Sequence, residues 1–204
     1  MTKTVVRYFF DFVDGQEKWL NKMSLAGYRL VDCGNLTYKF ESGAPGEYAY
    51  AVELVADKSN SKAKDYRRFL EDAGFRTFTK NINLNFSVGK ARWRPWADAS
   101  GQVSTSPGSY NKELLIVEKK SDGKPFDLHT DMRELSALFV NIRNSYLMAV
   151  LLLTFFGIAG FTSLISMQVW SSIAFCAAGV MFILPAAKYA GIARRYKQES
   201  KTNE

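Results

Sequence analysis

From Ser145 to Ala187 the chain carries no charged side chain in 43 residues. A continuous helix of that length would run about 65 Å, roughly twice the ~30 Å hydrocarbon core of a bilayer. One span does not fit and two do, with the turn at Ser166, Met167 and Gln168, the most polar point between the two apolar runs. The pattern predicts a transmembrane hairpin over about Tyr146–Ile165 and Val169–Tyr189. Neither run has the polar face that a soluble helix pair needs.

Upstream the period changes. Val6, Tyr8, Phe10 and Phe12 alternate with Arg7 and Asp11, a strand pattern. Asp14 and Glu17 then have the spacing of a capping box. The helix they open carries Trp19, Leu20, Met23 and Ala26 on one face, and Gly27 ends it as a C′ glycine. Strands are expected at Tyr28–Val31 and Thr37–Glu41, followed by a turn over Ser42–Gly46.

The pattern recurs downstream. Tyr48, Tyr50, Val52 and Leu54 alternate; Tyr66, Phe69, Leu70 and Ala73 have helical spacing; Gly74 ends that helix; and Phe75–Phe78 and Ile82–Val88 read as strands. Ala26-Gly27-Tyr28-Arg29 returns as Ala73-Gly74-Phe75-Arg76, 47 residues on. Two strand–helix–strand–strand units are expected, by duplication or because any helix–glycine–strand junction has this form.

The fold class expected is α+β: a mostly antiparallel sheet with two helices on one face, a duplicated βαββ on a ferredoxin-like plan, plus the transmembrane hairpin. The domain plan is a cytosolic domain over 1–127, with units at about 4–43 and 47–89 and an irregular extension over 90–127. A juxtamembrane helix over 128–144, with Leu135, Leu138, Phe139 and Ile142 as its apolar stripe, leads into the hairpin at 145–189 and a basic tail at 190–204.

Charge sets the orientation. Arg143 flanks the first span, and Lys188, Arg194, Arg195 and Lys197 flank the second, while the turn has no basic residue. By the positive-inside rule this places a two-pass protein in the inner membrane with both termini cytoplasmic. Residues 1–144 hold 22 Lys and Arg against 18 Asp and Glu, too even a balance for a nucleic-acid surface.

Two cysteines, Cys33 and Cys176, one of them inside an apolar run, exclude a disulfide framework, and the single His129 excludes a multi-histidine metal site. No catalytic, cofactor-binding or metal-binding set is legible, and no cofactor is expected. The hairpin lacks the ionisable groups of a transport path. Its small-residue pairs Ala159/Ser163 and Ala174/Ala178 suit close packing, within the hairpin or in a homo-oligomer.

The most unusual soluble stretch is Arg92-Trp93-Arg94-Pro95-Trp96. Indoles between cations suit a partner surface or the lipid headgroup interface. The structural alternative is that Trp93 simply packs into a sheet with Arg92 and Arg94 turned outward.

Tyr8-Phe9-Phe10, Glu17-Lys18-Trp19-Leu20-Asn21-Lys22-Met23 with Gly27, and Leu36–Glu41 together resemble the domain of unknown function 2812 family, as does Leu70-Glu71-Asp72-Ala73-Gly74-Phe75-Arg76. The resemblance covers about residues 5–80, and residues 90–127 depart from the family pattern. It implies a bacterial protein with this cytosolic domain and trailing transmembrane helices. It carries no established activity, and it implies genes that often neighbour PadR-like transcriptional regulators.

The function expected is a membrane-anchored, non-enzymatic binding or regulatory module with a protein partner and a lipid bilayer as its surroundings. An accessory subunit of a transporter or envelope complex is the alternative, and a membrane-associated enzyme a third.

Overall fold

The computed structural model of the chain describes residues 2–55, 60–82, 86–88, 91–93, 103–104, 114–124, 126, 128, 131–162, 165–166 and 168–202. They form two compact units. The first contains β1 (Thr2–Val6), α1 (Asp14–Leu25), β2 (Tyr28–Cys33), β3 (Thr37–Ser42), β4 (Tyr48–Leu54), α2 (Asn60–Asp72), β5 (Arg76–Lys80), β6 (Phe86–Val88), β7 (Ala91–Trp93), β8 (Val103–Ser104) and β9 (Leu114–Lys120). The second contains α3 (Met132–Phe161) and α4 (Val169–Thr202). The class is α+β, antiparallel in every ladder described, with a C-terminal apolar helical hairpin.

The first unit holds three small sheets, in the orders β1-β3-β2, β4-β9-β5 and β6-β7-β8. The first two share one plan. A strand, a helix and a second strand are laid down, and a third strand inserts between the first two. The place that β3 holds in one set is held in the other by β9, not by the stretch from Ile82 to Val88. Within that stretch Phe86–Val88 pairs with β7 instead. Burial accounts for this: Leu114–Val117 are all buried, which suits a central strand. Gly27 and Gly74 occupy the same place in the two sets with φ of +80° and +90°, a conformation that favours glycine.

Three local expectations shift. The first strand lies at Thr2–Val6, ahead of the aromatic run, because that run packs around α1: Phe9 meets Trp19 at 5.4 Å, and Phe12 is buried. The capping box does not form as expected. Val13 is the N-cap, without a side-chain cap, and Glu17 accepts instead from the Val52 amide at 2.9 Å. On α2, Leu70 is buried but Phe69 is 66% exposed, so the inward stripe is narrower than its spacing suggests. Leu70 joins Val55, Leu115 and Val117, with Tyr66, Phe75 and Phe126 packed against them.

Glu17 belongs to a larger device. β4 is an edge strand of its sheet, and its free edge would leave amides and carbonyls unpaired. Three polar residues of α1, at spacings of four and three, cover it. Asn21 donates to the Tyr50 carbonyl at 2.7 Å and accepts from the Tyr50 amide at 2.9 Å; Glu17 takes the Val52 amide; and Ser24 donates to the Tyr48 carbonyl. A helix face thus does the work of a neighbouring strand.

In the second unit α3 and α4 are about 45 and 51 Å long at the helical rise, and both are long and apolar enough to cross a membrane. Only 11% and 17% of their apolar windows are buried, the reverse of a soluble core helix. The helices approach closely at two glycines. A Cβ on Gly157 would lie 3.1 Å from the Ser172 carbonyl oxygen, and one on Gly179 would lie 3.0 Å from the Thr154 methyl. Ala159 is buried, Ala174 is exposed, and Ser163 lies outside the described residues. Residues 190–202 continue α4 as helix, and Ala193 and Tyr196 are buried there, with Phe139 stacked on Tyr196 at 5.4 Å.

Asn21→Leu removes both bonds to Tyr50 and leaves two backbone groups unpaired, at a cost of about 1–3 kcal/mol. Native-state hydrogen exchange should show the Tyr50 amide opening faster, with the β3 amides little changed. Unchanged protection at Tyr50 would contradict the edge-covering role.

Candidate functional site

Two clusters of polar side chains stand out in the first unit, and composition flagged neither. The first surrounds Glu118, 2% exposed in the central strand β9. Arg29 of β2 donates to Glu118 Oε1 from Nε at 3.0 Å and from Nη2 at 2.8 Å. The Tyr50 hydroxyl donates to Glu118 Oε2 at 2.8 Å and accepts from the Leu30 amide at 2.8 Å. Arg76 of β5 donates to the carbonyls of Leu30 and Val31 at 3.4 and 3.1 Å, where β2 is bulged. No ladder joins β2 to the β4-β9-β5 sheet, so these side chains tie the two sheets together.

The electrostatics follow. The hydrogen bond to Glu118 holds the Arg29 guanidinium above its ordinary value, and the Tyr48 ring lies 4.1 Å from it. Burial pushes the Tyr50 and Tyr66 hydroxyls up, and Tyr66 donates to the buried Glu53 at 2.7 Å. The carboxylates of Glu17, Glu53 and Glu118 are all engaged in bonds that hold the fold.

The second cluster lines a small hollow, with room for about one water molecule, between the segment ahead of α1, the first turn of α1, the end of β5 and the start of β9. Arg7, Gln16, Lys80 and Asn81 line it with Phe9, Phe12 and Ile82. Lys80 is 5% exposed and donates to the Tyr38 hydroxyl, which donates to Gln16 Oε1 at 3.0 Å. Burial lowers the Lys80 ammonium to about 8, partly offset by Cys33, and the same burial raises Tyr38. Among the described residues no group of three or more His, Cys, Asp or Glu is placed to hold a metal ion.

Of the residues singled out in sequence, Arg92 and Trp93 lie in β7. There Arg92 pairs in register with Ser87 and Ser104, and Trp93 with Phe86 and Val103. Arg94, Trp96 and His129 lie outside the described residues. Arg143, Lys188, Arg194, Arg195 and Lys197 lie on the hairpin helices. Stacking of Tyr146 on Tyr189 at 5.6 Å places them at one end of that pair. Arg143 donates to the Asn144 side chain at 2.8 Å, and Arg195 faces Glu199 at 3.5 Å.

Sequence reading passed over Glu118, Arg29 and Lys80. The available signal was a carboxylate ending the apolar run of β9, but its partners lie 68 and 89 residues away.

Arg29→Met removes both guanidinium donors to Glu118, leaving it the Arg76 cation at 4.0 Å and the Tyr50 hydroxyl, and should cost about 3 kcal/mol. Glu118→Gln removes the buried charge, keeps one acceptor oxygen for Arg29 and loses the bond from Tyr50, and should cost less, about 1–2 kcal/mol. Urea unfolding of the full-length protein in detergent measures both; equal costs would contradict the buried-charge account. Lys80 gives a pH dependence. Above about pH 8 the folded chain has released the Lys80 proton that the unfolded chain keeps until its ordinary value of 10.5, so stability rises with pH. Above the ordinary tyrosine value of 10.0 the unfolded chain ionises Tyr38, Tyr50 and Tyr66 while the fold holds them neutral, and stability falls. The rise between pH 8 and 10 should be absent in Lys80→Met; a rise of equal size in that variant would contradict it.

No curated protein and no solved structure matches the chain. The family model of a protein of unknown function, DUF2812, matches residues 12–151, from just ahead of α1 into the apolar part of α3. That match spans about two thirds of the sequence, and the chain therefore belongs to the DUF2812 family.

Proposed function

We propose that this is a two-pass protein of the cell's inner membrane whose α+β unit is a cytosolic binding or regulatory module and whose hairpin is its anchor. The observation that carries the reading is the outer surface of the hairpin. Trp170, Met181 and Leu184 are 80%, 75% and 72% exposed on helices that meet each other at Gly157 and Gly179. Burial of such a surface is worth roughly 25 cal/mol per Å², and lipid is the medium that supplies it. The basic residues at one hairpin end support cytoplasmic termini by the positive-inside rule.

Binding rather than catalysis fits the first unit because its buried carboxylates are engaged within the fold. The Arg92, Trp93, Arg94 and Trp96 stretch is retained as a partner or headgroup surface.

Crosslinking in intact cells, read by mass spectrometry, tests this with two chains. One is native; the other carries an unrelated two-span hairpin in place of residues 146–189. Capture of one protein partner by both supports the module with an anchor. Capture only by the native chain replaces it with an accessory subunit whose spans make the contact. No specific partner in either contradicts both.

A further inference from the structure

The edge strands of the two larger sheets are treated differently. The free edge of β4 is covered by Glu17, Asn21 and Ser24 of α1. The outer edge of β2 gives its Leu30 amide to Tyr50 and its Leu30 and Val31 carbonyls to Arg76. β1 has no such cover. It is an edge strand in the order β1-β3-β2, and Thr2, Lys3, Thr4 and Val6 are exposed. The Arg7 amide donates to the Leu36 carbonyl at 2.8 Å, which sets the phase of the ladder. Bonded and unbonded pairs alternate between antiparallel strands, so the backbone groups of Lys3, Val5 and Arg7 face β3. Those of Thr2, Thr4 and Val6 point out of the free edge, and among the described residues none takes them.

A lysine on an edge strand commonly guards it against pairing. Here the Lys3 ammonium reaches across β3 to the Tyr28 ring of β2, 4.5 Å from its centroid and away from the edge. The Arg7 guanidinium lies over the Phe9 and Trp19 rings. Both cations are thus engaged within their own unit. Charge also selects the register. An antiparallel pairing of β1 with itself can be centred on Lys3, Thr4 or Val5. The first sets Lys3 against its own counterpart and the third sets Lys3 against Arg7, and like charges directly opposite are destabilising. Centred on Thr4, Lys3 lies opposite Val5, Thr2 opposite Val6 and Thr4 opposite itself, with no like charges facing. The outward groups of Thr2, Thr4 and Val6 are then all satisfied. We propose that β1 is a self-pairing edge: two copies of this chain join antiparallel through it, with Thr4 at the two-fold axis, and their β2-β3-β1 sheets become one. So short an edge buries little surface, and chains held in one membrane meet at a raised effective concentration. To that extent the inference rests on reading the hairpin as an anchor.

The test uses two full-length chains with different tags, one carrying Lys3→Cys and the other Val5→Cys, both with Cys33→Ser and Cys176→Ala. They are expressed together, and isolated membranes are oxidised with copper phenanthroline. In the proposed register the two thiols belong to an unbonded pair with Cα atoms about 4.5 Å apart, within disulfide reach. Two copies of the same variant hold them about 8 Å apart, beyond that reach. A disulfide dimer carrying both tags is expected, and it should be lost when either chain is expressed alone. Thr4→Pro in both chains should also abolish it. Proline there removes an outward amide that makes no bond within the fold, so the chain folds and only the pairing is lost. No mixed dimer, equal linkage in either chain alone, a link to a different protein in place of the second copy, or a dimer that survives Thr4→Pro overturns the pairing. Thiol labelling at the hairpin turn reads the anchor separately. A turn labelled from outside with no mixed dimer removes the pairing and keeps the anchor.

Discussion

Glu118 puts a carboxylate in the central strand of β4-β9-β5, where water does not reach it, and the unit supplies what water would have given. Arg29 brings charge and two donors from β2; Tyr50 brings a third donor from β4. Because these groups come from different sheets, satisfying one buried charge also fixes the sheets to each other. Tyr50 is the hinge of the arrangement. Its hydroxyl lies between the Leu30 amide and Glu118, and its backbone is held on the other side by Asn21 of α1. Sheets, helix and buried charge therefore share one residue. A buried ion pair adds little net stability over a well-packed apolar alternative, but it penalises any arrangement that separates the partners.

The hairpin meets a different constraint. In the proposed membrane setting, association of two helices gains nothing from hiding apolar surface and depends on close packing. Gly157 and Gly179 allow it by leaving no Cβ where the other helix passes. Beyond the apolar stretch the same pair continues with aromatic contacts, Phe139 on Tyr196 and Tyr146 on Tyr189. The character of the contact thus changes along one helix pair, from glycine to stacked rings.

Local chemistry was legible in sequence where it is decided locally. The uncharged run fixed the hairpin, the two glycines fixed the helix ends, and the alternation of Tyr38 and Phe40 fixed β3, where both are buried. Features decided at a distance were not legible. The spacing of Asp14 and Glu17 is that of a capping box, yet the Val52 amide, 35 residues away, takes Glu17. The Ile82–Val88 alternation is a sound strand pattern, but pattern does not choose partners, and β9 holds the central place. The Lys80 hollow draws its walls from four parts of the chain, so no window of sequence contains it.

The most direct measurement is thiol labelling of intact cells with a membrane-impermeant maleimide, using single-cysteine chains that carry Ser166→Cys or Lys3→Cys with Cys33 and Cys176 replaced. The account predicts that position 166, at the hairpin turn, is labelled from outside, and that position 3 is labelled only after lysis. Labelling of position 3 in intact cells, or of position 166 only after lysis, would contradict a two-span anchor carrying a cytosolic module.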